Sequence, residues 1–517
     1  GWLLEYSPHT ARVEIVVVHG NHGGHRVKAI PDLQNELAAA REYWCKQKTF
    51  PIRGIAVPDS GIQMLLDASV RTIYQVRERV DGIAQFQPGP SVYRGLWIAD
   101  AALTGIPVGM LGDTASLYQY LETGFRFQLP TGQVRTLYPT VSIVETPAWA
   151  FTAFWVARAT GDRSWIARHW TELGKALDWI CSLREQTLGG QRTLYSGLLP
   201  AGFVDGGLSI PMSDYGTLWW CMMALEEGSN AAELLGKGAR ANAWRSTLEG
   251  FSSSFAVAGR RDILRDHFGN PFLPVGVGDT AISVPQRGQF SLLLPMHFAS
   301  FFDVPGSLTD SLARMNLVML ENYLSQGLIR GSGWMPQGLW PWLGGVFGMA
   351  HQRIGDSRRA VELLYAYANH AAPTGVWVEE QLPRAVGPGT AGDVSDAEAS
   401  AVFIHLTRYL LATERKDGLE LLGGVPEAWL RPGAVVGLRN TLSEFGPLTF
   451  ELRVHQESAV LTVAPISGHR APGGPYLSTR ALRGAGFTLP DGRPLPDRLR
   501  WEWQKSFRAE FKRRPLR

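Results

Sequence analysis

The sequence predicts a mainly α protein whose body is a closed ring of helical hairpins, with β structure at both ends. Three observations lead there. About a dozen runs between residues 58 and 414 carry apolar residues at helical spacing. The loops between them are unequal, and several are long and rich in Gly, Pro and Trp, notably 84–97, 186–213, 266–287, 327–343 and 373–395. After Glu414 the pattern changes to alternating apolar and polar residues. No sequence period recurs, which sets the chain apart from open helical repeats. Long irregular loops in a compact domain usually carry function, and the simplest ring gathers them at one mouth.

Composition agrees with a large, ordered protein. The chain has 517 residues, 45% hydrophobic and 19% charged. Fifty basic against 47 acidic residues give a net charge of +3, with none of the charge bias of a nucleic-acid or membrane-surface binder. No apolar run has the length of a membrane span and no signal peptide is legible. Cys45, Cys181 and Cys221 are far apart, have no metal-ligand spacing, and are odd in number, which argues against a disulfide scaffold. Eighteen tryptophans supply flat apolar faces, which suit cores and sugar rings.

In order along the chain, "RVEIVVV" (12–18) reads as a strand, the end of an N-terminal β-domain over residues 1–30. "HGNHGGH" follows, and its glycines make His19, His22 and His25 a polar loop rather than a helical metal site. Residues 31–57 form a linker with a helix over 31–48, opened by Pro31. The helical body, 58–414, begins with "DSGIQMLLDASVRTIYQVRERV". Thr146 and Pro147 fit a cap and first turn. Asp162 caps a helix whose stripe is Ile166, Trp170, Leu173, Leu177 and Ile180. Ser213 caps "DYGTLWWCMMALEE", and further runs cover 230–256, 288–302, 307–325, 344–354 and 357–371. Ser395 and Glu398 form a capping box before Ala399, Val402, Phe403, Leu406 and Leu410. Residues 415–517 form a β-rich domain that ends in the basic run "KSFRAEFKRRPLR", read as a solvated tail.

Three stretches carry a resemblance. "FQPGPSVYRGLWIADAAL" (86–103), "LLPAGFVDGGLSIPMSDYGTLWW" (198–220), and "WVEEQ" with the later Gly-Asp (377–393) resemble the (α/α)6-barrel glycoside hydrolases, a group that includes glucoamylases, trehalases and α-L-rhamnosidases. The order of β-sandwich end, linker helix, helical barrel and small β-domain is similar too. "GLELLGGVPEAWLRPG" (418–433) is close to a phrase found after such barrels. The resemblance implies an (α/α)6 toroid acting on carbohydrate, with no cofactor, metal, nucleic acid or membrane involved.

It also implies roles. Inversion at a sugar carbon needs an acid for the leaving oxygen and a second carboxylate that activates water from the opposite face. In glucoamylase-like enzymes that base is a Glu followed by Gln, which matches Glu380-Gln381, with Glu379 next in line. The acid is expected from the mid-barrel loop, where Asp205 is preferred to Asp214 because Asp214 starts a helix and has a role there. Asp100, beside Trp97, is the candidate hydroxyl binder. Ala99 stands where many relatives carry Arg, so Arg94 is the substitute guanidinium. "RGSGWMPQGLWPWLGG" (330–345) places Trp334, Trp340 and Trp342 in a Gly/Pro loop suited to a stacking wall. Trp377, Glu145 and Asp113 complete the candidates at that end. The expected function is an exo-acting, inverting glycoside hydrolase. A disaccharide phosphorylase of the same fold and a non-catalytic carbohydrate-binding protein are the alternatives. No Walker loop and no G-x-S-x-G is present.

Overall fold

The structure is a computed structural model that describes residues 32–46, 54–80, 82–135, 142–189, 191–202, 211–281, 283–293, 296, 307–468 and 470–514. The strand expected at 12–18, the histidine loop, Asp205 and most of the run 288–302 lie outside the described residues. Two compact units divide the chain, residues 1–50 and 51–517. The first contains α1 (Leu33–Lys46), whose start is held by Asp32 accepting from the backbone N–H of Gln34 at 2.9 Å.

The second unit carries α2 (Ser60–Val76), α3 (Ile98–Met110), α4 (Thr114–Arg126), α5 (Glu145–Thr160), α6 (Arg163–Arg168), α7 (Trp170–Leu188), α8 (Tyr215–Leu234), α9 (Gly238–Arg261), α10 (Leu308–Leu320), α11 (Pro341–Arg353), α12 (Ser357–Asn369) and α13 (Ala397–Leu411). Five of these, α3, α5, α8, α11 and α13, form an inner ring, with the 3-10 turn Gln289–Leu292 between α8 and α11. Each touches the next, and α13 closes back onto α3. The outer helices α4, α7, α9, α10, α12 and α2 pack behind them. This is the helical toroid expected from the sequence.

Burial follows from sequence. All 13 residues of α11 and all 15 of α13 are buried, as expected of helices packed on every side. The two approach closely because α11 carries glycines: a Cβ at Gly345 would overlap Val402, and one at Gly348 would press on Leu406. The outer helix α12 keeps one buried stripe, Ala360, Leu363, Leu364 and Tyr367. Among the described residues no helix is long and apolar enough to cross a membrane.

The caps differ from expectation in three places. The cap before α8 is Asp214, not Ser213: its carboxylate accepts from Thr217 N at 2.7 Å. Asp396 caps α13 in place of Ser395, accepting from Glu398 N and Ala399 N. Helix α5 begins at Glu145, and the Thr146 hydroxyl instead accepts from Val134 N at 3.0 Å. In each acidic case a carboxylate offers a stronger acceptor than a hydroxyl for the orphan N–H groups. The helix expected after Asp162 breaks at His169 into α6 and α7.

Six strands form an antiparallel sheet in the order Ile55–Ala56, Val435–Ser443, Gly446–Val454, Ser458–Val463, Phe507–Arg513, Phe487–Thr488. Residues 446, 448, 450, 452 and 454 are buried and those between are more exposed, the two-residue period of a half-covered strand. The basic tail is corrected here. Phe507–Arg513 pairs with Ser458–Val463, because Phe511 alternates with the charges and buries itself opposite Ala459.

Candidate active site

The N-termini of α3, α11 and α13 converge on one pocket, and the capping residues of all three, Trp97, Trp340 and Asp396, line it. Helix N-termini carry partial positive charge, so this end of the ring favours carboxylates. The pocket's aromatic walls are Tyr93, Trp97, Phe290, Trp334, Trp340 and Trp342. Phe290, Trp340 and Trp342 meet edge to face at 4.9–5.6 Å. The same pocket is lined by five carboxyl residues, Asp100, Glu379, Asp393, Asp396 and Glu398, and among its described lining residues none is Lys or Arg.

The two adjacent glutamates have different surroundings. Glu380 and Gln381 form a short strand paired with Thr390–Ala391, and Gln381 also exchanges backbone bonds with Leu339. Consecutive side chains on extended backbone point to opposite faces. Glu379 faces the pocket, where its Oε1 accepts from Trp334 Nε1 at 3.0 Å and its carboxylate also accepts from the Tyr93 hydroxyl. Glu380 is fully buried behind the tryptophan loop: its Oε2 accepts from the backbone N–H groups of Trp334 and Met335, both at 2.9 Å. Glu380, the first candidate for the base, is therefore not a lining residue of the pocket, and its neighbour is.

Burial raises the Glu379 carboxyl to about 8, assisted by the negative charges of Asp396 and Glu380 and opposed by the Trp334 N–H. Burial likewise raises Glu380 to about 7 against the pull of Met335 N–H, Trp334 N–H and Arg287. Asp396 rises to about 7, by burial first, with Asp393 and Asp100 adding like charge against the capping N–H groups. Asp100 is raised by burial and hydrogen-bonded to Glu398. Tyr93, whose hydroxyl faces Glu379, is also raised, by burial and by that carboxylate.

Two groups fix this geometry. Asp393 accepts from Ser91 N at 2.8 Å, Tyr93 N at 2.8 Å, Val92 N at 3.0 Å and the Ser91 hydroxyl. Its own carbonyl accepts from Glu379 N at 2.9 Å. Gly392, at φ +75°, lies so close that a Cβ would overlap the Glu379 carboxyl.

Of the sequence candidates, Glu379, Asp100, Trp97, Trp334, Trp340 and Trp342 come together here. Asp214 does not line this pocket. It caps α8, is raised to about 7 by burial, and lines a smaller neighbouring cavity that shares Leu103 with the pocket. Arg94 is exposed and paired with Glu78, because that carboxylate sits on the adjacent hairpin. Trp377 is a core residue, packed on Tyr367 and Phe403, with its Nε1 donating to Tyr367 O at 3.0 Å. Glu145 is buried and accepts from Ala99 N at 2.8 Å, which steadies the start of α3. Asp113 caps α4 through Ser116 N.

Sequence reasoning missed Tyr93, Phe290, Asp393, Asp396 and Glu398 as lining residues. Asp396 and Glu398 also belong to the start of α13, and the capping pattern concealed their second role. Asp393 was legible only as the aspartate after Gly392. Among the described residues no three His, Cys, Asp or Glu side chains group to hold a metal ion.

No family model matches the chain. No curated protein matches it. Solved structures do. An α-L-rhamnosidase from Dictyoglumus thermophilum superposes with a TM-score of 0.55 at 13% identity, covering 88% of this chain and 50% of that one. A glycosidase variant gives 0.51 at 15% identity, over 68% of this chain and 98% of the other. A bacterial glucoamylase complexed with acarbose gives 0.51 at 13% identity, over 73% and 59%. The chain thus spans half the length of the rhamnosidase it matches. It has the helical-toroid fold of the (α/α)6 glycoside hydrolases.

Proposed function

We propose that the chain is a glycoside hydrolase, exo-acting and inverting, and that Glu379 is its base. The observation that carries this reading is Glu379 itself: a carboxyl held by an indole N–H and the Tyr93 hydroxyl in an aromatic-walled pocket at the helix N-termini of a glycosidase-type toroid. Aromatic faces stack on sugar rings, and carboxylates take the hydroxyls. The ionised Glu379 would take a proton from water as that water attacks the anomeric carbon, and an acid opposite would protonate the leaving oxygen. Asp205 and Asp214, ahead of α8, are the candidates for that acid. Glu380 acts through its neighbours, holding the tryptophan wall.

The phosphorylase alternative needs cationic partners for phosphate, and none of the described lining residues is a cation. The test is a screen of nitrophenyl glycosides with and without phosphate. The anomer of the first product is followed by NMR. Hydrolysis independent of phosphate, with inverted product, supports the reading. Retained configuration or dependence on phosphate refutes it. Asp205→Asn and Asp214→Asn separate the acid candidates. The variant lacking the acid keeps activity on activated aryl glycosides, whose leaving group needs no proton, and loses it on oligosaccharides.

A further inference from the structure

We infer that the pocket selects a saccharide carrying a positive charge, a protonated amino sugar. The inference rests on the glycosidase reading of the same pocket and names its substrate class. Five carboxyl residues line the pocket, no lining residue among those described is Lys or Arg, and the nearby Arg287 lies over the Trp334 ring. One buried oxygen in that lining is left without a partner, Oδ2 of Asp396. Asp396 spends its other oxygen on the cap of α13, taking both Glu398 N and Ala399 N, so Oδ2 is free for a ligand. Glu379, beside it, is held by Trp334 and Tyr93.

A neutral hydroxyl can donate one hydrogen bond to Oδ2 but leaves the raised carboxyls protonated. An ammonium donates three and favours their charged forms. The aromatic walls add to this, because indole faces attract cations within about 6 Å of the ring. The arrangement also bears on the chemistry. The charge of Asp396 helps keep Glu379 protonated in the empty pocket. An ammonium beside the two draws Glu379 to the carboxylate form that a base requires.

The experiment uses the full chain and reads binding by quenching of tryptophan fluorescence, checked by calorimetry. Glucosamine, galactosamine and mannosamine are each compared with the parent hexose and with the N-acetyl derivative, which keeps the bulk and removes the charge. At least one amino sugar is expected to bind about tenfold or more tightly than both neutral forms, the scale of a charged hydrogen bond. Asp396→Asn, which keeps a capping oxygen, and Glu379→Gln should each collapse that ratio toward one. If Asp396→Asn fails to fold, Glu379→Gln carries the test. Equal or tighter binding of the neutral forms, no binding of any sugar, or a preference that survives both folded variants would overturn the inference. Hydrolysis of neutral glycosides that depends on Glu379, without amino-sugar preference, defeats the inference alone. Amino-sugar preference without hydrolysis of any glycoside defeats the enzymatic reading alone.

Discussion

Asp393 and Ser91 lie 302 residues apart in the chain, yet the Asp393 carboxylate accepts both the Ser91 backbone N–H, at 2.8 Å, and its hydroxyl. The loop before α3 and the loop before α13 are thereby fastened to each other at the rim of the pocket, and Tyr93 and Glu379 are set face to face.

Removing that fastening should harm binding more than folding. Asp393→Ala removes the charged acceptor of the part-buried N–H groups of residues 91–93, and a hydrogen bond to a charged group is worth about 1.5–3 kcal/mol. KM on a confirmed substrate should rise with the loss of the Tyr93 wall, while Asp393→Asn should recover part of it. An unchanged KM in a folded Asp393→Ala protein would reject this role.

The two glutamates should separate kinetically. Glu379→Gln should lower kcat by about 10²–10⁴-fold, the usual worth of a general base. Azide should restore part of the rate by attacking in place of water, with a glycosyl azide of inverted configuration as product. Glu380→Gln keeps an acceptor for Trp334 N and Met335 N and should cost less, mainly in KM. A larger loss of kcat in Glu380→Gln than in Glu379→Gln would return the base role to Glu380.

How much of this was readable beforehand depends on the scale of the signal. The ring was legible because helices such as α13 declare themselves over four turns, through Ala399, Val402, Phe403, Leu406 and Leu410. The glutamate pair was legible as chemistry but not as geometry. Which of two neighbours faces the cleft is set by the pairing of Glu380–Gln381 with Thr390–Ala391 and with Leu339, a long-range register that no local pattern encodes. The basic tail misled because charge outnumbers the three apolar residues, Phe507, Ala509 and Phe511, that make it a strand.

The pH profile carries a sign. A base works only when ionised, and Glu379 is raised to about 8. On a neutral glycoside kcat/KM, which reports the free enzyme, should therefore rise with pH to a limb near about 8. A rate that falls through this range would mark Glu379 as the proton donor instead.

Stability should run the other way. Glu379, Glu380, Asp396 and Asp214 all have folded values raised to about 7 or 8 by burial. Acids raised on folding bind protons more tightly in the native state, so their contribution is full below the unfolded value and is lost as pH climbs through the folded one. The melting temperature should fall between about pH 4 and pH 8 from these groups. Glu379→Gln combined with Asp396→Asn should flatten that slope. A melting temperature that rises over the range in the wild type, with the double variant unchanged, would contradict the burial argument.

Gly392→Ala tests the packing beside Glu379. The left-handed backbone at φ +75° costs an alanine about 1–2 kcal/mol. Its Cβ would also displace the Glu379 carboxyl. Gly355, at φ +91° with nothing within 4 Å, is the control, carrying strain without a clash. Gly392→Ala should lose activity well beyond Gly355→Ala at a similar loss of melting temperature. Equal activity in the two would show that Glu379 is not confined by this contact.

The hold of Glu380 on the tryptophan loop has a consequence for how the pocket can diverge. Glu380 grips the loop through the backbone of Trp334 and Met335, not through their side chains. Gly333 and Gly338 are constrained, since a Cβ at either would press into Glu380 or its surroundings. Of the residues between, Trp334 is tied to Glu379 through its indole, whereas Met335, Pro336 and Gln337 do not line the pocket. A lineage, or a selection experiment, can therefore vary those three side chains without dismantling the frame that presents Trp334 to the pocket.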